Sequence, residues 1–182
     1  MSKIGKKPIL ITSAKVQVQG NRVSISGGKT NITHELPVGF TASLDGKNLV
    51  VKAENDTRKD RVIWGTQRAL LANKVQGVEK GFEQKVTIVG LGFKAQLAGR
   101  KVTLTLGYTH KIDYELPIEV TLEIDKTGQM LTFKSSDKFL LGSVVDAIRA
   151  FRPPEPYKGT GIIRNGETVI RKAGKTKATA AS

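Results

Sequence analysis

The chain has 182 residues, 38% of them hydrophobic and 25% charged, enough for one large core or two small ones and too apolar for wholesale disorder. It contains no cysteine, which removes disulfides, thiolate metal sites and thiol catalysis together and fits a reducing compartment. Its 30 Lys and Arg against 16 Asp and Glu give a net charge of +14, which points to a polyanionic partner.

The excess lies at the two ends. Residues 1–15 carry Lys3, Lys6, Lys7 and Lys15 and no acid. Residues 149–177 carry eight basic side chains (Arg149, Arg152, Lys158, Arg164, Arg171, Lys172, Lys175 and Lys177) against Glu155 and Glu167. Each phosphate neutralised by Lys or Arg releases a counterion, so one-sided charge of this kind suits nucleic acid. A membrane surface would also want an amphipathic basic helix or a lipidation site, and the sequence shows neither. Ile9-Leu10-Ile11 is too short for a signal-peptide core, and no apolar run approaches the roughly 18 residues of a membrane span. The chain is expected to stay in the cytoplasm.

Along the chain, the basic start leads into an alternating segment from Val16 to Ile25 that turns at Gly20. The same pattern returns from Ala95 to Leu104, turning at Gly99, at an offset of 79. Each copy then reaches Gly and Thr (Gly28 and Thr30; Gly107 and Thr109) and a Glu-Leu-Pro triplet, Glu35-Leu36-Pro37 and Glu115-Leu116-Pro117. A further alternating segment follows in each (Leu49, Val51, Ala53; Leu131, Phe133), and then a helix. Thr57 and Asp60 are spaced as a capping box opening a helix from about Arg58 to Lys74. Asp137 can cap a second helix whose Leu141, Val144, Val145 and Ile148 form one buried stripe, stopped by Pro153 and Pro154.

Period-2 strands with short Gly turns imply antiparallel sheets with one face buried. The expected fold is α+β: two tandem similar domains from an internal duplication, each an antiparallel sheet packed with one main helix, plus a basic carboxyl-terminal arm. The boundaries are 1–81, 82–152 and 153–182, with the domains joined near Gly77 to Gly81.

Between the copies, Thr87-Ile88-Val89-Gly90-Leu91-Gly92-Phe93-Lys94-Ala95 imitates a strand entering G-x-G-x-x-A, the dinucleotide fingerprint. That motif needs a following helix to face the pyrophosphate. Here another strand follows, so these glycines belong to a hairpin or bulge. His34 and His110 occupy roughly equivalent places in the two copies and have no companion ligands at metal spacing. No catalytic motif, cofactor site or metal site is expected.

After the second helix, Pro153, Pro154 and Pro156 favour a stiff extended arm. Arg152 and Lys158 supply charge to it. Tyr157 can stack on a base, and Gly159 and Gly161 can admit a phosphate close to the backbone. Ile162 to Lys172 contains Asn165-Gly166 between β-rich runs, the signal for a type I′ hairpin. Such a hairpin is marginal alone and must lie on the second domain or on RNA. Ala173 to Ser182 is small, polar and basic, and expected to be disordered unless bound.

The string Arg152-Pro153-Pro154-Glu155-Pro156-Tyr157-Lys158-Gly159, with Gly161-Ile162, resembles the signature of the sixth large-subunit ribosomal protein family, bacterial type. So do Ser2-Lys3-Ile4-Gly5-Lys6-Lys7-Pro8-Ile9, Gly65-Thr66 with Arg68 and Asn73, and Gly90-Leu91-Gly92-Phe93-Lys94-Ala95. Leu106-Gly107-Tyr108-Thr109-His110 and Asp137-Lys138 with Gly142, Ile148 and Arg149 complete the likeness. The chain departs from it at Thr160, where the family usually has Lys, at Ile163-Arg164, and in Gly27-Gly28-Lys29-Thr30.

The resemblance implies two duplicated α+β domains and no enzymatic activity. It implies binding to large-subunit ribosomal RNA, mainly through the second domain, near the sarcin–ricin loop and the stalk base where translation factors dock. Neighbouring large-subunit proteins are expected partners, and homo-oligomerisation is not expected. The expected RNA contacts are Arg152, Tyr157, Lys158, Gly159, Gly161, Arg164, Arg171, Lys172, Lys175 and Lys177, assisted by Lys138, His110 and Lys111 and by Lys3, Lys6 and Lys7. Deleting 152–182 is expected to leave both domains folded. The competing class is a protein-interaction module with the proline arm as ligand; an enzyme is a distant third.

Overall fold

The computed structural model describes residues 2–28, 30–55 and 57–174. They divide into two compact units, one running to Phe82 and including Ser136–Lys138, the other holding Glu83–Ser135 and the chain from Phe139 onward.

In the first unit, β2 (Lys15–Gln19), β3 (Arg22–Gly27) and β4 (Thr30–Glu35) form one antiparallel sheet. β1 (Ile9–Leu10), β5 (Phe40–Asp45) and β6 (Asn48–Ala53) form another, in the order β1-β6-β5. Alternation decides which side chains turn inward: Val23 and Ile25 on β3, and Leu49 and Val51 on β6, are all buried. Helix α1 (Arg58–Glu79) packs against β3, β4 and β6 with Leu71 and Val75 inward. The Thr57 hydroxyl oxygen accepts the Asp60 amide at 3.2 Å, and the Asp60 carboxylate accepts the Thr57 hydroxyl, so the N-terminal cap forms as expected.

The helix runs five residues beyond the expected Lys74, because Val75 and Gly77 are buried and the left-handed terminating glycine is Gly81 (φ 72°). At its end, the Glu79 carboxylate accepts the amides of Thr12, Ser13 and Ala14 at 2.6, 2.9 and 3.3 Å. Desolvation pushes this carboxyl up, but those three amides and Lys80 together hold it below the ordinary value.

The second unit repeats the plan. β8 (Lys94–Ala98), β9 (Lys101–Thr105) and β10 (Ile112–Glu115) match β2–β4. β11 (Val120–Ile124), β12 (Met130–Ser135) and β7 (Phe82–Val89) match β5, β6 and β1 in the order β11-β12-β7, and β13 (Gly161–Arg164) adds a fourth strand beside β7. Helix α2 (Lys138–Phe151) follows Asp137 and buries Leu141, Val144, Val145 and Ile148, the stripe read from the sequence. The fold is α+β with tandem duplicated halves, each built on two small sheets rather than one. The glycines after β7 lead into β8, a strand and not the helix that the dinucleotide motif requires.

Four expectations change. His34 is not the counterpart of His110. Val23 pairs with His34 and Val102 with Tyr114, so the repeat places Tyr114 at the His34 position, and His110 falls in a loop. The proline segment is a compact turn rather than an extended arm. Gly159 N donates to Glu155 O (3.1 Å), Glu155 N to Thr160 O (3.0 Å) and Lys158 N to the Glu155 carboxylate (2.9 Å).

The Asn165-Gly166 hairpin is also absent. Among the described residues only glycines have positive φ, so Asn165 cannot enter a type I′ turn, and residues 167–172 form no strand. Only the first arm, β13, is a strand, and it lies on the second unit. Finally, β13 buries Ile162 completely, so removing 152–182 would strip a strand from the sheet and expose its core. The last basic stretch, with Lys175 and Lys177, lies outside the described residues.

Two outcomes follow from this packing. Ile162→Ala should cost the second unit about 2–5 kcal/mol in urea denaturation, and an unchanged midpoint would refute the role of β13. His34 is buried, with Nε2 2.8 Å from Gln67 Oε1. Burial chiefly, and Lys74 to a lesser extent, lower its pKa below the ordinary 6.5, although the Gln67 bond raises it. A depressed histidine supplies stability that is present above the unfolded value and lost as pH falls through the folded one. The melting temperature should therefore drop between about pH 7.5 and 5, and drop less in His34→Gln.

Candidate nucleic-acid interface

Strand register brings several loops of the second unit to one end. Lys94 pairs with Thr105 and Ile112 with Leu104, so the 90–93 and 106–111 loops leave the same end of the β8–β9–β10 sheet. Val89 pairs with Gly161, which puts the 152–160 turn beside the 90–93 loop. The Ala95 amide donates to Gly128 O at 2.8 Å, adding the β11–β12 turn.

Aromatic rings order this end. Tyr108 Oη donates to Phe151 O at 3.1 Å, and the Tyr108 and His110 rings stack with centroids 5.9 Å apart and planes 20° apart. The Arg152 guanidinium carbon lies over Tyr108 at 5.0 Å and over Phe93 at 5.9 Å from the ring centroids, a cation–π arrangement. The Arg152 carbonyl accepts the Ile162 amide at 2.8 Å, tying this residue to β13. Gly107 has φ 75°, and a Cβ there would stand 2.7 Å from Phe93 Cε1, so only glycine suits the close approach.

Around these rings Lys94, His110, Lys111, Lys126, Tyr157 and Lys158 are exposed, as are Arg171 and Lys172. The Lys172 amide donates to Pro156 O at 2.8 Å, and the Arg171 guanidinium covers Gly159, which hold both residues to the proline turn. Of the acids here, Asp125 accepts the Thr127 hydroxyl (2.9 Å) and Glu155 the Lys158 amide. The end is a basic surface with aromatic faces.

Other expected contacts do not join this exposed surface. Gly159 and Gly161 are buried, and a Cβ on Gly161 would meet Pro153 O at 2.7 Å. Their backbone freedom serves internal packing in the free chain. Arg164 stands at the far end of β13 and bonds Asp146 Oδ1 at 2.6 Å. Arg149 donates to Glu167 (Nε to Oε2, 3.0 Å; also Nη2 to Oε1). The Arg149 bond, with the Arg164 amide and charge, holds the Glu167 carboxyl below its ordinary value. These cations neutralise acids of the fold.

Lys138 opens α2, about 20 Å along the helix axis from the end where Arg152 follows. Its Nζ is 5.8 Å from the Phe82 ring centroid. In the first unit Lys3, Lys6 and Lys7 are exposed on a segment laid along α1: Arg68 donates to Lys7 O (2.9 Å) and Pro8 O (3.0 Å), and Gly5 lies under the Trp64 ring.

Tyr108, Phe93, Lys94 and Lys126 belong to this end in addition to the expected contacts. No local signal marks Tyr108, because residues 107–110 form bends and its place is set by Phe151 and Arg152. Lys126 became visible only when the β11–β12 turn was placed by the Gly128 bond.

A groove of about 640 Å³ lined by Glu83, Gln84, Lys85 and Arg164–Glu167 lies away from these loops and does not include His110. Among the described residues no cluster of three His, Cys, Asp or Glu is arranged to hold a metal. No helix among them is long and apolar enough to cross a membrane.

Fold and surface together define a duplicated, basic α+β protein whose charges and rings gather at loops instead of lining a catalytic cleft. The chain belongs to the family described as Ribosomal protein L6, whose model matches residues 12–81 and 89–165, one stretch in each half. It is similar to the protein named large ribosomal subunit protein uL6 of Syntrophomonas wolfei, 43% identical over 176 residues, 96% of this chain and 98% of that one. Those of Trichormus variabilis (42%, covering 97% of each chain) and Alcanivorax borkumensis (40%, covering 97% of this chain and 100% of the relative) are similar too. The family is structural, not enzymatic.

Gly107→Ala should destabilise the second unit by about 1–3 kcal/mol, from positive φ and the Phe93 clash combined. Gly20→Ala, with φ 57° and open space around it, should cost only the backbone part, about 1 kcal/mol. Urea denaturation of both variants checks the difference; equal costs would remove the Phe93 contact from the account.

Proposed function

We propose that this chain is a structural component of the large ribosomal subunit, in the cytoplasm, that grips large-subunit ribosomal RNA with the loop end of its second unit. The observation that carries this reading is the convergence of Lys94, Lys111, Lys126, Arg152, Lys158, Arg171 and Lys172 at one end of that unit, with Asp113, Asp125 and Glu155 engaged in local bonds. Family membership supplies the ribosome, and the relatives' name supplies the large subunit. In this reading the grip lies near the sarcin–ricin loop and the stalk base, as the resemblance implies, with other large-subunit proteins as neighbours. Lys3, Lys6 and Lys7 offer a second, smaller contact. RNA helices are read mostly through phosphates and 2′-hydroxyls, so base specificity should be slight.

Binding of the full chain to large-subunit ribosomal RNA should weaken roughly a thousandfold between about 50 and 200 mM salt if about six phosphates are neutralised. Lys111→Gln and Lys158→Gln should each lower the salt slope by about one. A flat salt response on a filter-binding assay would overturn the mechanism. For location, Leu91 is fully exposed and the chain has no cysteine, so Leu91→Cys offers a single attachment point for a hydroxyl-radical source. Cleavage flanking the sarcin–ricin loop is expected; cleavage confined to other regions would refute the placement.

A further inference from the structure

Resting on that reading, we propose that the Tyr108–His110 stack is a seat for one unpaired base of the RNA, distinct in kind from the phosphate contacts around it. Four observations meet here. The two rings are nearly parallel and both residues are exposed, so the stack has aromatic surface open to solvent. Tyr108 is held from two sides, by its hydrogen bond to Phe151 O and by the Arg152 guanidinium over its ring. Phe93 lies under the same Arg152 guanidinium and packs against Gly107 and Gly90, which fixes the loop that carries Tyr108. Lys94 and Lys111 bracket the loop that carries the rings, where they can meet the phosphates on either side of a stacked nucleotide.

The chemistry selects the occupant. A ring stack continued by another flat π system gains dispersion and electrostatic attraction without needing a hydrogen-bond code. Single-stranded nucleotides are held in this way, by stacking on aromatic side chains and arginine planes. Because Tyr108 is fixed before binding, little side-chain freedom is lost when the base arrives. A purine, with the larger face, fits best. Double-helical RNA keeps its bases paired and stacked inside, so the seat calls for a loop, bulge or splayed end.

The test separates stacking from charge. His110→Ala in the full chain should weaken binding to large-subunit ribosomal RNA roughly 5- to 100-fold at fixed salt, with the salt slope unchanged. His110→Phe should restore binding to within about twofold, since a ring and not a charge is required. Tyr108→Leu should match His110→Ala, while Tyr108→Phe retains the ring. Thermal melts establish that each variant is folded.

If the wild type binds with the expected steep salt dependence but His110→Ala binds equally well, the seat is refuted and the phosphate grip stands. If the wild type shows no salt-dependent binding, the parent reading fails with it. His110→Phe as weak as His110→Ala, or a slope reduced by about one, would make His110 a charge or hydrogen-bond contact and overturn the proposal. Unchanged binding to naked RNA with impaired incorporation into subunits would overturn it in favour of a protein partner.

Discussion

The antiparallel pairing of Gly161–Arg164 with β7 is the interaction on which the rest of the second unit depends. It buries Ile162 fully, and its first residue fits between the returning chain and the Pro153–Pro154 backbone only because it is glycine. Through the Ile162 amide it also fixes the Arg152 carbonyl, and Arg152 in turn lies over Tyr108 and Phe93. A basic carboxyl-terminal segment that might have trailed from the domain is thereby made part of its sheet. The cations beyond it, Arg171 and Lys172, return to the same proline turn.

This pairing is also where the two halves part company. Both copies use the same two three-stranded patterns and one covering helix, and the turn glycines Gly20 and Gly99 have nearly equal φ, 57° and 64°. In the first half β3 and β4 are joined tightly, with Gly27 opposite Thr30. In the second, the connection between β9 and β10 spans residues 106–111 and carries Tyr108, His110 and Lys111. The first half ends its sheet on the two-residue β1, whereas the second extends the edge with β13. The framework common to both halves supplies cores; the loop and the extra strand, found in one half alone, supply the candidate surface.

Much of the framework was legible in the sequence because it rests on periodicity. Alternation placed Val23, Ile25, Leu131 and Phe133 inward, and the helical stripe of α2 followed from 3.6-residue spacing. The Thr57–Asp60 cap was readable because its chemistry is local. The errors came where tertiary contacts override local signals. Asn165-Gly166 reads as a hairpin, yet β7 offered Gly161–Arg164 a better partner than residues 167–172 did. Three prolines read as a rod, yet Glu155 and Gly159 close them into a turn. Charge alone does not show that Arg164 meets Asp146 of α2, because no sequence pattern brings the two together. Tyr108 was passed over because a single aromatic residue acquires meaning only beside Arg152, 44 positions later.

The central claim is that the loop end of the second unit faces RNA in the assembled subunit. Lysine labelling with an acetylating reagent, read by mass spectrometry on the free protein and on purified large subunits, addresses it directly. Lys94, Lys111, Lys158 and Lys172 are all exposed in the chain and should react freely when it is alone. In the subunit they should be protected together. Reactivity there equal to that of the free protein would contradict the account.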